Sequence, residues 1–164
     1  MRHSSEFKLM TPITFIAMFA SSAKKSAQTT RIPASFVIAE AALESAWGES
    51  LLARQAMNFF GVKADPAWHG RTLTMRTREY LHGTWVIVPA LWREYASILE
   101  CLEDHAQFLL TNERYRPAFA HHDGESFTRA VAAAGYATDP QYAEKIISII
   151  REHGLAKYDE VQHG

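Results

Sequence analysis

Ala39-Glu40-Ala41-Ala42-Leu43-Glu44-Ser45-Ala46-Trp47-Gly48 is the stretch that the rest of the chain serves. Phe36, Ile38, Ala39, Ala42, Leu43 and Ala46 recur at helical spacing, which predicts a helix with one side buried in a core. Pro33 suits its first turn, and Gly48 suits its end because glycine tolerates left-handed backbone angles. Glu44 falls in the last turn, where the negative end of the helix dipole gives a carboxylate no support. Dipole and apolar neighbours both favour its protonated form, as a general acid requires. Glu40 stands one turn earlier on the same face, and a like charge there pushes the same way. The plain alternative is a solvated helix edge with two ordinary glutamates.

Outward from this helix, composition sets bounds. A chain of 164 residues with 48% hydrophobic and 21% charged residues reads as one globular domain. A net charge of −1 offers no electrostatic case for nucleic acid or an anionic membrane. Twelve per cent aromatic residues suit sugar faces and suit a packed core equally. Cys101 is the one cysteine, and it falls in the apolar run Ile98, Leu99, Leu102, Ala106, Leu109, so it reads as a small buried hydrophobe. Phe19-Ala20-Ser21-Ser22-Ala23 faintly resembles a signal-peptidase site. However, Arg2 and Lys8 make a thin positive region and Thr11-Pro12 interrupts the approach, so no conventional export signal is read. No stretch approaches membrane-spanning length.

In chain order, Thr11 as N-cap and Pro12 open an amphipathic helix to about Gln28, followed by the central helix and a short one from Ser50 to Gln55. Asn58-Phe59-Phe60-Gly61-Val62-Lys63 reads as a compact turn. From Arg71 the period changes to two: short strands joined across Leu81-His82-Gly83-Thr84 predict a β-hairpin that Pro89 ends, with Glu79 near the end of its first strand. Helical spacing returns at Ser97–Leu110, Arg116–Ala120 and Ser126–Ala134. A last helix follows from a Thr138-Asp139-Pro140 start to about His153, with Gly154 as its stop and a frayed polar tail. The sum is mainly α (α+β), with residues 1–10 as an extension, 11–158 as the domain and 159–164 as a tail.

Two carboxylates flanking a sugar linkage are the minimum for glycoside hydrolysis, and Glu44 on a helix with Glu79 on a hairpin could face each other across a groove. His121-His122-Asp123 lacks metal-ligand spacing and runs into Gly124, which reads as an exposed turn, so no metal is expected. No nucleophile elbow or phosphate-binding glycine loop occurs. Gly135-Tyr136-Ala137-Thr138-Asp139-Pro140-Gln141-Tyr142 can bring a phenol into a site, or Tyr142 can pack in the core while Tyr136 covers a helix end.

Ala41–Gly48, Asn58–Lys63, Thr77-Arg78-Glu79-Tyr80, Arg93-Glu94-Tyr95-Ala96-Ser97 and Ala134–Ala143 occur in that order. Together they resemble the mannosyl-glycoprotein endo-β-N-acetylglucosaminidase-like domain, glycoside hydrolase family 73, over about Thr11 to Tyr158. That family includes the peptidoglycan hydrolase domain of flagellar rod-cap proteins. The resemblance implies a lysozyme-like helical domain with a small β-hairpin lobe over the active-site cleft. It also implies cleavage of peptidoglycan glycan strands after N-acetylglucosamine. By position, Glu44 matches the catalytic acid and Glu79 the second acidic residue, whose role varies between members. Tyr136 and Tyr142 match tyrosines near the acid, Phe60 and Trp47 match aromatics lining or supporting the cleft, and Asn58 belongs with the substrate-binding set. The family usually has Gln where Glu40 stands, which makes Glu40 a modulating charge, and often Gly where Ala46 stands, a change expected to tighten packing.

The mechanism implied is acid-assisted cleavage by Glu44, with water activated by Glu79 or the substrate's own acetamido oxygen meeting the oxocarbenium-like centre. No cofactor or metal is implied, and a monomer without nucleic-acid or membrane partners is expected. A muramidase, a lytic transglycosylase and a non-catalytic glycan-binding module are the rivals. The setting stays open between a phage lysis enzyme, a secretion-system effector with an immunity protein, and a piece of a flagellar or tail protein. In each case the protein is made in the cytoplasm and acts on the cell wall.

Overall fold

A helix apolar on all sides has to sit in the middle of its domain. The computed structural model, which describes residues 10–160, places the quoted stretch there. Helix α2 (Ala34–Glu44) is buried at every position from Ala34 to Ala42, so the expected single buried side is in fact the whole circumference. It is packed by α1 (Pro12–Thr30), α5 (Gly124–Ala133), α6 (Tyr142–Glu152) and a closing 3₁₀ turn (Leu155–Asp159). Thr11 caps α1 as expected, its hydroxyl accepting from the Thr14 N–H, with Pro12 as first helical residue. Phe15 and Phe19 stack 4.3 Å apart on the buried side of α1, and Phe59 meets Phe19 edge-on. The short α3 (Leu51–Ala56) starts at a Ser50 cap.

The helix end differs from expectation. α2 stops at Glu44, and Ala46, Trp47 and Gly48 follow with φ of 51°, 57° and 81°. Ser45 closes the end: its Oγ donates to the Ala41 carbonyl and accepts from the Gly48 N–H. Ala46 is exposed, so it tightens no packing. Its left-handed backbone explains why glycine is at home there.

The hairpin is longer than predicted. β1 (Thr72–Leu81) pairs antiparallel with β2 (Thr84–Arg93) through a two-residue turn at His82-Gly83, both with positive φ as a twist-matched tight turn requires. Pro89 does not end it but sits opposite Arg76, because each strand of a two-stranded ribbon has a free edge that needs no N–H. Val62 and Ala64 bond to the outer edge of β2 and tie it to the body.

Helix α4 (Ile98–Thr111) starts at a Ser97 cap, and a 3₁₀ segment (Glu113–Ala120) leads to α5. Asp123 caps α5, accepting from the Ser126 N–H, and Gly124 is its buried first residue, not an exposed turn. A Cβ on Gly124 would stand 1.9 Å from Ser35 Oγ, so only glycine lets α5 approach α2 here. The expected frayed tail is instead anchored: Leu155 is fully buried, and Asp159 accepts from Ser35 N (2.9 Å) and Ser35 Oγ (2.5 Å). The expectations for residues 1–9 and 161–164 lie outside the described residues. Cys101 is buried, which pushes its thiol up to about 12. Among the described residues, no helix is long and apolar enough to cross a membrane, and no cluster of three or more His, Cys, Asp or Glu could hold a metal.

Candidate active site

A cavity of about 500 Å³ opens where the end of α2 meets α4. Its wall takes Glu40 and Glu44 from α2, Phe60 and Val62 from the loop after α3, and Arg93 from the end of β2. Asp104, His105 and Phe108 come from α4, and Tyr136 from the loop before α6. Glu44 is accessible at this wall, as the last residue of its helix. Its carboxyl is held above the usual carboxylate range, first by partial burial and then by the Glu40 carboxylate, against a smaller opposing pull from His105.

Glu40 itself is 1% exposed and is not a solvated edge. The Tyr136 hydroxyl donates to its Oε1, so the same phenol oxygen accepts from His105 Nε2 at 2.7 Å. His105 Nε2 also stands 3.6 Å from Glu40 Oε1. The Phe60 ring stacks on the imidazole at 4.0 Å between centroids, fixing its plane. Tyr142 packs against Tyr136 at 5.4 Å, with its hydroxyl buried and without a hydrogen-bond partner, as is Glu40 Oε2. Burial, then the Glu40 charge, pushes both phenols far above their ordinary range, so Tyr136 is a neutral donor to Glu40 and Tyr142 a packing surface. A second group braces the wall: Asp104 accepts from Arg93 Nη1 (2.8 Å) and Tyr95 Oη (2.5 Å).

Of the residues singled out from sequence, Glu44, Glu40, Phe60 and Tyr136 line the cavity, and Tyr142 supports Tyr136 from behind. Three others stand apart from the cavity. Asn58 is 1% exposed and staples the loop: its amide donates to the Val62 and Arg93 carbonyls and its Oδ1 accepts from the Val62 N–H. Trp47 packs edge-on against Phe15 (5.5 Å) and His153 (4.8 Å), as a support for the helix end. Glu79 lies on the half-buried face of β1 with Oε1 2.5 Å from Lys63 Nζ, and it is not part of the cavity wall. His105 was missed from sequence, although a signal existed. It interrupts the apolar stripe Cys101, Leu102, Ala106, Leu109, where a titratable side chain must find a buried partner.

The model of the family described as mannosyl-glycoprotein endo-beta-N-acetylglucosaminidase matches residues 20–155. The chain is 36% identical over 140 residues to the peptidoglycan hydrolase FlgJ of Vibrio cholerae, covering 83% of this chain and 42% of that protein. It is 39% identical over 132 residues to the exo-glucosaminidase LytG of Bacillus subtilis, covering 77% and 46%. It thus spans less than half the length of these curated relatives. Among solved structures, the catalytic domain of the Listeria monocytogenes autolysin Auto superimposes with a TM-score of 0.81 at 31% identity, covering 90% of this chain and 86% of that one. A glycoside hydrolase domain of Salmonella typhimurium FlgJ gives 0.78 at 35%, covering 88% and 98%. With the family model matched across the site-bearing helices, the chain belongs to the glucosaminidase family, glycoside hydrolase family 73.

Proposed function

We propose that the protein is a peptidoglycan hydrolase, an endo-β-N-acetylglucosaminidase that cuts the β-1,4 bond after N-acetylglucosamine in cell-wall glycan. The observation that carries this reading is Glu44: a carboxyl with its proton affinity raised by partial burial and by Glu40, at the wall of a cavity lined by aromatic rings. Such a group is protonated where an ordinary glutamate is not, and can donate to the leaving glycosidic oxygen. The C1–O bond breaks as that oxygen takes the proton, and water adds at C1 to leave a reducing N-acetylglucosamine end. Relatives named as a peptidoglycan hydrolase and a glucosaminidase support the substrate class and action at the cell wall.

The partner that meets C1 has two candidates. Glu79 engaged by Lys63 outside the cavity wall favours attack by the substrate's own acetamido oxygen. Under that route Glu79→Gln retains most activity on N-acetylated glycan, whereas under the base route it loses as much as Glu44→Gln.

The test is mass spectrometry of digested peptidoglycan after borohydride reduction, with wild type and Glu44→Gln. Reduced N-acetylglucosamine ends made by wild type and absent with the variant support the reading. Reduced muramic ends point to a muramidase, anhydro-muramic ends to a lytic transglycosylase, and no cleavage by folded wild type to a binding module. A raised carboxyl opposes folding once the pH passes its folded value, so Glu44→Gln is at least as stable as wild type at neutral pH. Equal or higher Tm for the variant in the same buffer checks this.

A further inference from the structure

The hairpin carries a face that the site does not use. Side chains alternate across a ribbon, so Arg76, Arg78 and Tyr80 of β1 share one side with Trp85, Ile87 and Leu91 of β2. These residues are exposed, Trp85 by 57% and Ile87 by 70%, and none lines the cavity. Glu79 and its Lys63 partner belong to the opposite, half-buried side. From Thr72 to Leu91 the exposed side therefore has two guanidinium groups and no carboxylate.

Its parts are also arranged. The Arg78 guanidinium lies 4.6 Å from the Trp85 ring, and the Tyr80 ring lies 5.1 Å from the same indole. Two adjoining rings present an apolar platform, and the stacked arginine keeps its edge N–H groups free for a carboxylate. Arg76 is roughly 7 Å along the strand, by the rise of two residues. Exposed apolar surface of this kind in a soluble domain marks an interaction site.

We propose that this outer face of the hairpin docks peptidoglycan away from the cut site, through the peptide stems. It takes the stem carboxylates on Arg76 and Arg78, and the apolar face of a sugar ring on Trp85 and Tyr80. The proposal rests on the peptidoglycan reading above and adds a second contact to the same polymer. Charge complementarity selects this occupant. A second copy meeting the face about a two-fold would set arginines against arginines with no acid between them. An anionic lipid surface is gripped by clusters of about four to eight cations, and this face has two. Free carboxylates beside sugar rings are the chemistry of a glycan strand with its peptides attached.

The effect is retention: an enzyme held by neighbouring stems stays on an insoluble wall between cuts, whereas a short soluble glycan needs only the cavity. The test uses Glu44→Gln protein, which does not consume its ligand, mixed with insoluble peptidoglycan and sedimented. In that background Arg76→Gln/Arg78→Gln/Trp85→Ala binds about tenfold more weakly, and Arg78→Gln alone shows part of the loss. Stripping the stems with an amidase lowers the parent protein to the level of Arg76→Gln/Arg78→Gln on intact peptidoglycan, with the sugar contact on Trp85 left in place. With Glu44 restored, the triple variant cuts a short soluble glycan at the wild-type rate. Unchanged sedimentation, retention that survives stem removal, or tighter binding to phosphatidylglycerol vesicles than to peptidoglycan overturns the docking face. Wild type that cuts no glycan at all sinks the hydrolase reading instead, and the sedimentation comparison still decides the face.

Discussion

Glu40 and Glu44 both face the cavity from one side of α2 one turn apart, yet Glu40 is sealed against Tyr136 and His105 while Glu44 is exposed. Their coupling has a testable sign. Glu40→Gln keeps an acceptor for the Tyr136 hydroxyl but removes the second cause of the raised Glu44 carboxyl, leaving burial as the first. An acid must be protonated to act, so the alkaline limb of the kcat profile moves to lower pH while the acid-side rate is kept. A limb that stays in place would refute the coupling. Ala46 has a backbone φ of 51° at an exposed position, and left-handed angles cost a residue with a Cβ on the order of 1 kcal/mol. Ala46→Gly therefore holds or raises the unfolding free energy by up to about 1 kcal/mol, read in a urea titration; a loss greater than this would contradict the strain. At this scale the raised Glu44 carboxyl was legible, because its helix position and neighbours are local facts. Asn58 ties the loop's own carbonyls and Trp47 supports the helix end, roles that a motif alone does not separate from contact with substrate. His105 was passed over because its partner lies 31 residues away, on Tyr136.

The elements followed their local signals more faithfully than their residues did. Thr11, Ser50 and Ser97 cap the helices they were expected to open, since an N-cap acts within three residues of itself. Length and termination of the hairpin were underestimated: a proline stops a central strand, but nothing in the sequence said that these strands have no neighbours beyond each other and residues 62–64. That isolation makes the Lys63–Glu79 pair the one ion pair among the described residues from the loop after α3 to the outer half of the hairpin. Both side chains are partly exposed, so the pair contributes about 0–1 kcal/mol to global stability. Its effect is on position. Lys63→Met leaves Tm within about 2 °C of wild type, yet lowers kcat/KM on long glycan about tenfold by loosening the hairpin against the body. A large fall in Tm would show that the pair stabilises the domain as a whole. Unchanged kinetics with unchanged Tm would show that the hairpin's position does not matter to turnover.

For the whole molecule, the helix that ends in Glu44 is held at its other end by the closing 3₁₀ turn, Leu155–Asp159. α2 has Pro33 at its cap position and no capping side chain of its own. The missing acceptor arrives from 124 residues away, as the Asp159 carboxylate against Ser35 N and Oγ, where the positive end of the helix dipole also favours it. Gly124 clears the space for this contact. Local patterns could not reveal it, and a polar tail beyond Leu155 read as frayed for that reason. Burial nevertheless holds the Asp159 carboxyl above the usual aspartate range, with the Ser35 bonds pulling back. A carboxyl raised in the folded state contributes stability that is complete below its ordinary value and is lost as the pH rises through the folded one. Asp159→Asn keeps an acceptor without a charge to desolvate, so it matches or exceeds wild type at neutral pH. The wild type gains on it as the pH falls through the raised value. Asp159→Ala loses the cap outright and costs about 1–2 kcal/mol at neutral pH. Urea titrations of the three proteins from pH 7 down to pH 4 read both effects. A pH-independent gap between wild type and Asp159→Asn would show that the buried carboxyl does not titrate abnormally, and an Asp159→Ala protein as stable as wild type would show that the Glu44 helix needs no clamp from Asp159.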